Sequence, residues 1–155
     1  MSDLIHYRKL RGYRFSTTRD LTFVLDWPAG ENWTDGPLGI ALPEGICIGK
    51  WVGLESGHLD IAAGYAWDGA SGPAVNTKNW LRASLVHDAL YQLMRSEQLD
   101  HSRYRLVVDQ IMLEMLLEDH MWGPRARAAF WAVRRFGGKH ARPHEVEGDI
   151  ELTAP

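Results

Sequence analysis

His87 and Asp88 stand side by side in "SLVHDALYQ", residues 84–92, within an otherwise apolar stretch, and Tyr91 follows one helical turn later. An imidazole titrates near neutral pH and can draw a proton from water. A carboxylate on its other nitrogen would fix the tautomer and stabilise the imidazolium. Asp109 is the candidate for that carboxylate. It lies at the edge of an apolar stripe formed by Val107, Val108, Ile111, Met112, Met115 and Leu116. A carboxylate against a core is costly unless paired. Arg105, one turn earlier, is the local partner; His87, from an antiparallel neighbouring helix, is the sharper choice.

Upstream, "WDGASGP" at residues 67–73 is a loop of small residues. Such a loop leaves backbone carbonyls free to face an ion. Asp68, Asp88, Gly69 and Gly72 are therefore candidates for an oxygen-rich site that takes a hard cation, calcium first. The plainer reading keeps Gly69 and Gly72 for backbone reasons alone. Trp67 and Ser71 in the loop, and Arg95 further along the His87 helix, are candidate ligand contacts. Ser71 reads equally well as a capping hydroxyl.

These residues need elements to position them. At roughly 100° per residue, Leu81, Leu85, Val86, Ala89, Leu90 and Leu93 share one apolar arc, while Ser84, His87, Asp88, Tyr91 and Arg95 fall on the other side. The pattern predicts a helix over 78–96, capped by Thr77 or Asn76, and a second over 103–118. A third runs from Pro124 to the Gly137-Gly138 stop. The short link "SEQLDHS" makes the first two an antiparallel pair. Before them, "RDLTFVLDW" alternates Leu21, Phe23, Leu25 and Trp27 at the period of a half-buried strand. "ICIGKWVGL" and "HLDIAAGYAW" read as two further strands, joined at "ESG". The expected fold is α+β, with an antiparallel β-rich N-terminal region followed by three helices. A single domain spans 1–138, divided into a β-rich region over 1–66, a small-residue loop over 67–77 and helices over 78–137. Residues 139–155 are expected to be a mobile tail.

The totals limit the function. The chain has 155 residues, 17 Lys and Arg, 20 Asp and Glu, and a net charge of −3. That predicts no bulk attraction to nucleic acid. The basic run "RARAAFWAVRRF" reads as a solvated helix face that Arg127 and Arg134 share. Cys47 is the sole cysteine, so a disulfide within the chain and a Cys-based zinc site are both excluded. No stretch approaches the about 20 apolar residues of a membrane span. The chain reads as soluble, without an export signal, and resident in a cytoplasm.

The combination of "GYAWDGASGP", "RASLVHDALYQLMR", an Asp in the next helix and "AVRRFGG" resembles a family of small phage and prophage proteins catalogued as a domain of unknown function. The resemblance runs from about Pro43 to Gly138. It implies a viral or prophage origin, a place in the host cytoplasm or the virion, and partners among other phage proteins or host targets. It implies no activity. "HDALY" is also similar to the His-Asp-x-x-Tyr motif of secretory, calcium-dependent phospholipases, over about 45 residues. That likeness implies His87 as general base, Asp109 as its orienting carboxylate, Tyr91 as a brace, and Asp88 with loop carbonyls as calcium ligands. It also implies a membrane-lipid substrate. The chain departs from that group in its single cysteine, its β-rich first half and a loop poorer in glycine.

Other chemistries fit less well. A metal-dependent phosphohydrolase of the HD type needs an earlier helical histidine, whereas His6 and His58 fall in strand-like sequence. A zinc peptidase would have to assemble His58, Asp60 and His87. A serine hydrolase using Ser71 or Ser84 lacks the G-x-S-x-G elbow. The non-enzymatic alternative is a virion, tail or assembly protein, with the same polar residues as a structural network. Of its seven tryptophans, Trp33, Trp51, Trp67, Trp80, Trp122 and Trp131 need not all sit in one core: either some mark a contact surface, or the core is simply rich in tryptophan.

Overall fold

The computed structural model describes residues 5–9, 15–25, 45–55, 57–69 and 77–143. Among the described residues seven strands precede four helices, so the chain is an α+β fold. The strands form two antiparallel sheets. In the first, β1 (Tyr7–Lys9) pairs with β2 (Phe15–Thr17), which pairs with β7 (Ala66–Trp67). In the second, the order is β3 (Leu21–Val24), β6 (His58–Ile61), β5 (Val52–Glu55) and β4 (Ile46–Ile48).

The period of two sets the face of the second sheet. Phe23, Leu59 and Leu54 stand in register across β3, β6 and β5, and Leu21, Ile61 and Val52 form the next row. All but the half-buried Leu21 are buried, whereas His58 and Asp60 point outward. Leu25, just past β3, is buried as well, and its amide donates to Gly57 O at 2.9 Å. Trp27 of that expected strand lies outside the described residues.

Two expected strands are each divided. "ICIGKWVGL" is a hairpin, β4 to β5, turning through Gly49 at φ 48°. A positive φ there suits glycine. "HLDIAAGYAW" leaves the second sheet after Ile61 and enters the first at Ala66. Thr17 governs this transfer. Its Oγ1 donates to Ala62 O at 2.8 Å, its carbonyl accepts from Gly64 N, and its amide donates to Tyr65 O.

The helices are α1 (Lys78–Arg95), α2 (His101–Glu118), α3 (Gly123–Phe136) and α4 (Gly138–Ala141). α2 starts two residues earlier than expected because Asp100 caps it, accepting from Ser102 N at 2.8 Å. Thr77 occupies the N-cap position of α1 without a capping bond from its side chain; Asn76 lies outside the described residues.

The two-faced reading of α1 needs correction. Its expected polar side is also covered: Ser84, His87 and Tyr91 are buried with the apolar arc. Sheet and helices enclose it together, as Trp67 on β7 donates from Nε1 to Ser84 Oγ at 3.2 Å while α2 packs along its length. Arg82 near the start of α1 reaches the end of α2, with Nε 3.0 Å from Asp119 Oδ2 and Nη2 2.8 Å from Glu118 Oε2. This fixes the antiparallel alignment.

The Gly137-Gly138 stop also differs from expectation. Gly137 is in right-handed helical conformation at φ −73°, so left-handed capping is not its role. A Cβ there would meet Val133 O at 2.6 Å and Tyr91 Oη at 3.1 Å. Gly137 is needed for close approach. The chain then continues into α4, where Ala141 is fully buried and the carbonyl of His140 accepts from Arg95 Nη1 at 3.1 Å. Residues 139–141, expected in a mobile tail, therefore belong to the packed fold. Residues 144–155 lie outside the described residues.

Candidate functional site

Asp109 is the centre of a polar cluster that draws on three helices. It is fully buried on α2. Its Oδ1 accepts from Tyr91 Oη at 2.8 Å and lies 2.8 Å from His87 Nε2, both on α1. Its Oδ2 accepts from Arg134 Nη1 on α3 at 2.8 Å. Arg105, the local alternative, has its Nε 3.9 Å from Oδ2. That guanidinium is committed elsewhere, through Nε to Tyr91 Oη at 3.2 Å and through Nη2 to the carbonyls of Val133 and Arg134 at 2.9 and 2.6 Å. Arg105 thereby satisfies the last carbonyls of α3, where a cation is favoured.

The helical period explains the cluster. Residues 87 and 91 are one turn apart, so His87 and Tyr91 stack on one face of α1, ring centroids 4.0 Å apart. The antiparallel α2 brings Asp109 opposite both. Arg105, one turn before Asp109, faces the end of α3.

The electrostatics favour charge on both partners. Burial pushes the Asp109 carboxyl up, but the hydrogen bonds and charge of His87, with Arg134 and Tyr91, outweigh it and hold the group below the usual carboxylate range. Asp109 is therefore ionised and accepts a hydrogen bond from His87 Nε2–H; when the ring loses a proton, the carboxylate keeps the one on Nε2 and the lone pair falls on Nδ1. Nδ1 faces Asp88, whose Oδ1 is 3.9 Å away. Burial pushes the His87 imidazolium down, but Asp109 and then Asp88 more than compensate, so its pKa is raised. Tyr91 is pushed up, first by burial and then by the Asp109 charge, which keeps it a neutral donor.

Asp88 sits at the border of the cluster, its side chain 32 % exposed. Its charge, after burial, pushes the Tyr65 phenol up, against an opposing effect of Arg95. Tyr65 thus lies within electrostatic reach of both Asp88 and Arg95. Arg95 also anchors α4 through His140 O.

Of the loop candidates, Asp68 is exposed and Gly69 is buried at φ 73°, the left-handed region that favours glycine. Ser71 and Gly72 lie outside the described residues. Trp67, expected as a ligand contact, is a core residue instead. It is 2 % exposed, packs on Phe15 at 5.4 Å between centroids, and ties β7 to α1.

Among the described residues no group of three His, Cys, Asp or Glu side chains is placed to hold a metal. The described residues therefore offer at most a fraction of a calcium shell, in Asp88 and Asp68. The His58, Asp60 and His87 set does not form either. His58 and Asp60 are on the outward face of β6, with Thr22 Oγ1 donating to Asp60 at 2.5 Å. Ser84 donates to Leu81 O at 3.0 Å and is buried under Trp67, which disposes of it as a nucleophile.

Arg134 is the member that sequence reasoning misses. The helical pattern puts it on a solvated face with Arg127. The structure keeps Arg127 exposed and turns Arg134 inward. Nothing in the local spacing of "AVRRF" separates the two. The tryptophans divide too: Trp67 and Trp80 are buried, and Trp51, Trp122 and Trp131 are exposed; Trp33 lies outside the described residues. No described helix is long and apolar enough to cross a membrane. In comparisons with known proteins, no protein-family model, no curated protein and no solved structure matches the chain.

Proposed function

We propose that this chain is a phage- or prophage-encoded hydrolase acting on esters, with His87 as general base. The observation that carries the reading is the division of labour on the imidazole. Nε2 lies 2.8 Å from Asp109 Oδ1, and Nδ1 faces the border where Asp88 is part-exposed, its Oδ1 3.9 Å away. In the proposed reaction, Nδ1 takes a proton from water as the water oxygen attacks the ester carbonyl. The imidazolium, stabilised by Asp109, then returns that proton to the departing alkoxide, giving acid and alcohol. Tyr91 and Arg134 keep Asp109 oriented and charged.

A hard cation such as calcium, held by Asp88, Asp68 and carbonyls of the 68–73 loop, would supply positive charge to the oxyanion. The proton transfers at His87 do not depend on it. A phospholipid ester is the substrate class that the motif favours. The site of action would be the host cytoplasm, or the host envelope when the protein is carried in the virion.

The test is hydrolysis of a short-chain phospholipid and of a simple aryl ester, with and without millimolar calcium, by wild type, His87→Gln and Asp88→Asn. Loss of the base is expected to lower the rate by about 10²–10⁴-fold with the fold intact. A folded wild type that hydrolyses neither ester under any of these conditions sinks the proposal.

A second reading is supported by the saturation of Asp109. Both its oxygens are used by side chains from α1 and α3. In that reading the network pins three helices in a virion, tail or assembly protein, and the exposed Trp122 and Trp131 face a partner. His87→Gln would then lower the melting temperature and nothing else.

A further inference from the structure

The end of the helical layer opposite the Arg82 tie carries a feature that the His87 chemistry does not use. Residues 121–143 contain six of the chain's 17 Lys and Arg and none of its 20 Asp and Glu. Between this segment and α2, an open cleft of about 460 Å³ is lined by Arg105, Arg135, Phe136, Gly138, Lys139 and Arg142. Four of the six are cationic, and among the described residues none lining it is acidic. The volume falls in the range of small-ligand sites.

The floor of this cleft is rigid. Arg105 is only 19 % exposed and is held by Tyr91 Oη and by two carbonyls at the end of α3. Those bonds use Nε and Nη2. The remaining Nη1 edge lies against Gly138, where a Cβ would stand 3.0 Å from it. Gly138 thus leaves no side chain over Arg105 Nη1. The negative end of the α3 dipole is also neutralised by Arg105, so it does not repel an anion there. Arg135, Lys139 and Arg142 complete the wall. A fixed Arg105 Nη1 with three further cations around it suits the charged oxygens of a phosphate.

The rim adds an apolar element. Phe136, which lines the cleft, is 68 % exposed. An exposed aromatic ring beside cations fits the boundary of a lipid layer, where ring and charge both find their environment.

We propose that the α3–α4 cleft binds the phosphate group of an anionic ligand, either a phospholipid headgroup or a soluble phosphate ester. This goes beyond the ester hydrolysis proposed above and does not require it.

The experiment compares wild type with the double variant Arg135→Glu/Lys139→Glu. Both positions are exposed and lie outside the His87 cluster, so the melting temperature is expected to stay at the wild-type value. Binding is measured by titrating inorganic phosphate while following the amide resonances of residues 135–142. It is also measured by co-sedimentation with phosphatidylcholine vesicles with and without phosphatidylglycerol. Wild type is expected to bind one or both probes, and the double variant at least about tenfold more weakly. Binding only to the anionic vesicles identifies a lipid headgroup; binding to inorganic phosphate without vesicle retention identifies a soluble ester. Binding to neither probe overturns the proposal. So does equal binding by the double variant, and so does retention on a single-stranded oligonucleotide alone.

Discussion

Arg134 donates from Nη1 to Asp109 Oδ2 at 2.8 Å, across 25 residues of chain. This bond makes the site a property of three helices. Without it, His87, Tyr91 and Asp109 would be a two-helix arrangement with one buried carboxylate oxygen short of a partner. Arg134 is 28 % exposed and Asp109 is fully buried, so the carboxylate depends on the guanidinium more than the reverse.

Asp109→Asn removes the charge that holds both His87 and Arg134. Breaking a buried pair from one side leaves an uncompensated charge and is expected to cost about 3 kcal/mol or more. Urea unfolding measures the loss. The same variant lowers the His87 pKa, seen by NMR titration of the ring; an unchanged titration would show that Asp109 does not control the imidazole.

The two ionisations bracket a stability plateau. His87 has a raised pKa in the folded chain, so its contribution is complete below the ordinary value of 6.5 and is lost as pH rises through the raised value. Asp109 has a lowered pKa, so its contribution is complete above the ordinary 3.8 and is lost as pH falls through the lowered value. Both are fully present between those limits. Subtracting the pH profile of His87→Gln from that of wild type isolates the upper limb. A general base must be neutral, so hydrolysis is expected to rise with pH over the range in which that stability falls.

Tyr91→Phe deletes one hydroxyl that donates to Asp109 and accepts from Arg105. The ring keeps its packing on His87, so the loss is expected to be about 1–2 kcal/mol. A thermodynamic cycle with Arg105→Met separates the two bonds. No coupling between the substitutions would mean that Tyr91 and Arg105 act independently.

At the far end of the helix pair, Arg82 meets two carboxylates of unequal worth. Asp119 is 10 % exposed and Glu118 is 52 % exposed. Screening leaves the Glu118 contact about 0–1 kcal/mol. Asp119→Ala is expected to cost about 2 kcal/mol or more, since it strands a mostly buried guanidinium. Equal losses for Glu118→Ala and Asp119→Ala in chemical denaturation would contradict this ranking.

The order of strands before helices, the extents of α1, α2 and α3 to within two residues, and the facing of His87 to Asp109 are all legible in the sequence. Each rests on local information: the period of apolar residues, a cap or a proline, and a short link that leaves two helices only an antiparallel option. The tertiary structure decides the rest. It divides "HLDIAAGYAW" between two sheets, because Thr17 bonds the segment at its bend. It buries both sides of α1, which a periodicity can describe only relative to one neighbour at a time. It keeps α4 helical through a buried Ala141 and a bond from Arg95. It chooses Arg134 over Arg127 because α3 meets α2 at one rotation and not another. Such choices depend on groups far apart in the chain, and the free energy that selects them comes from burial and charge pairing that exist only once the layers have met.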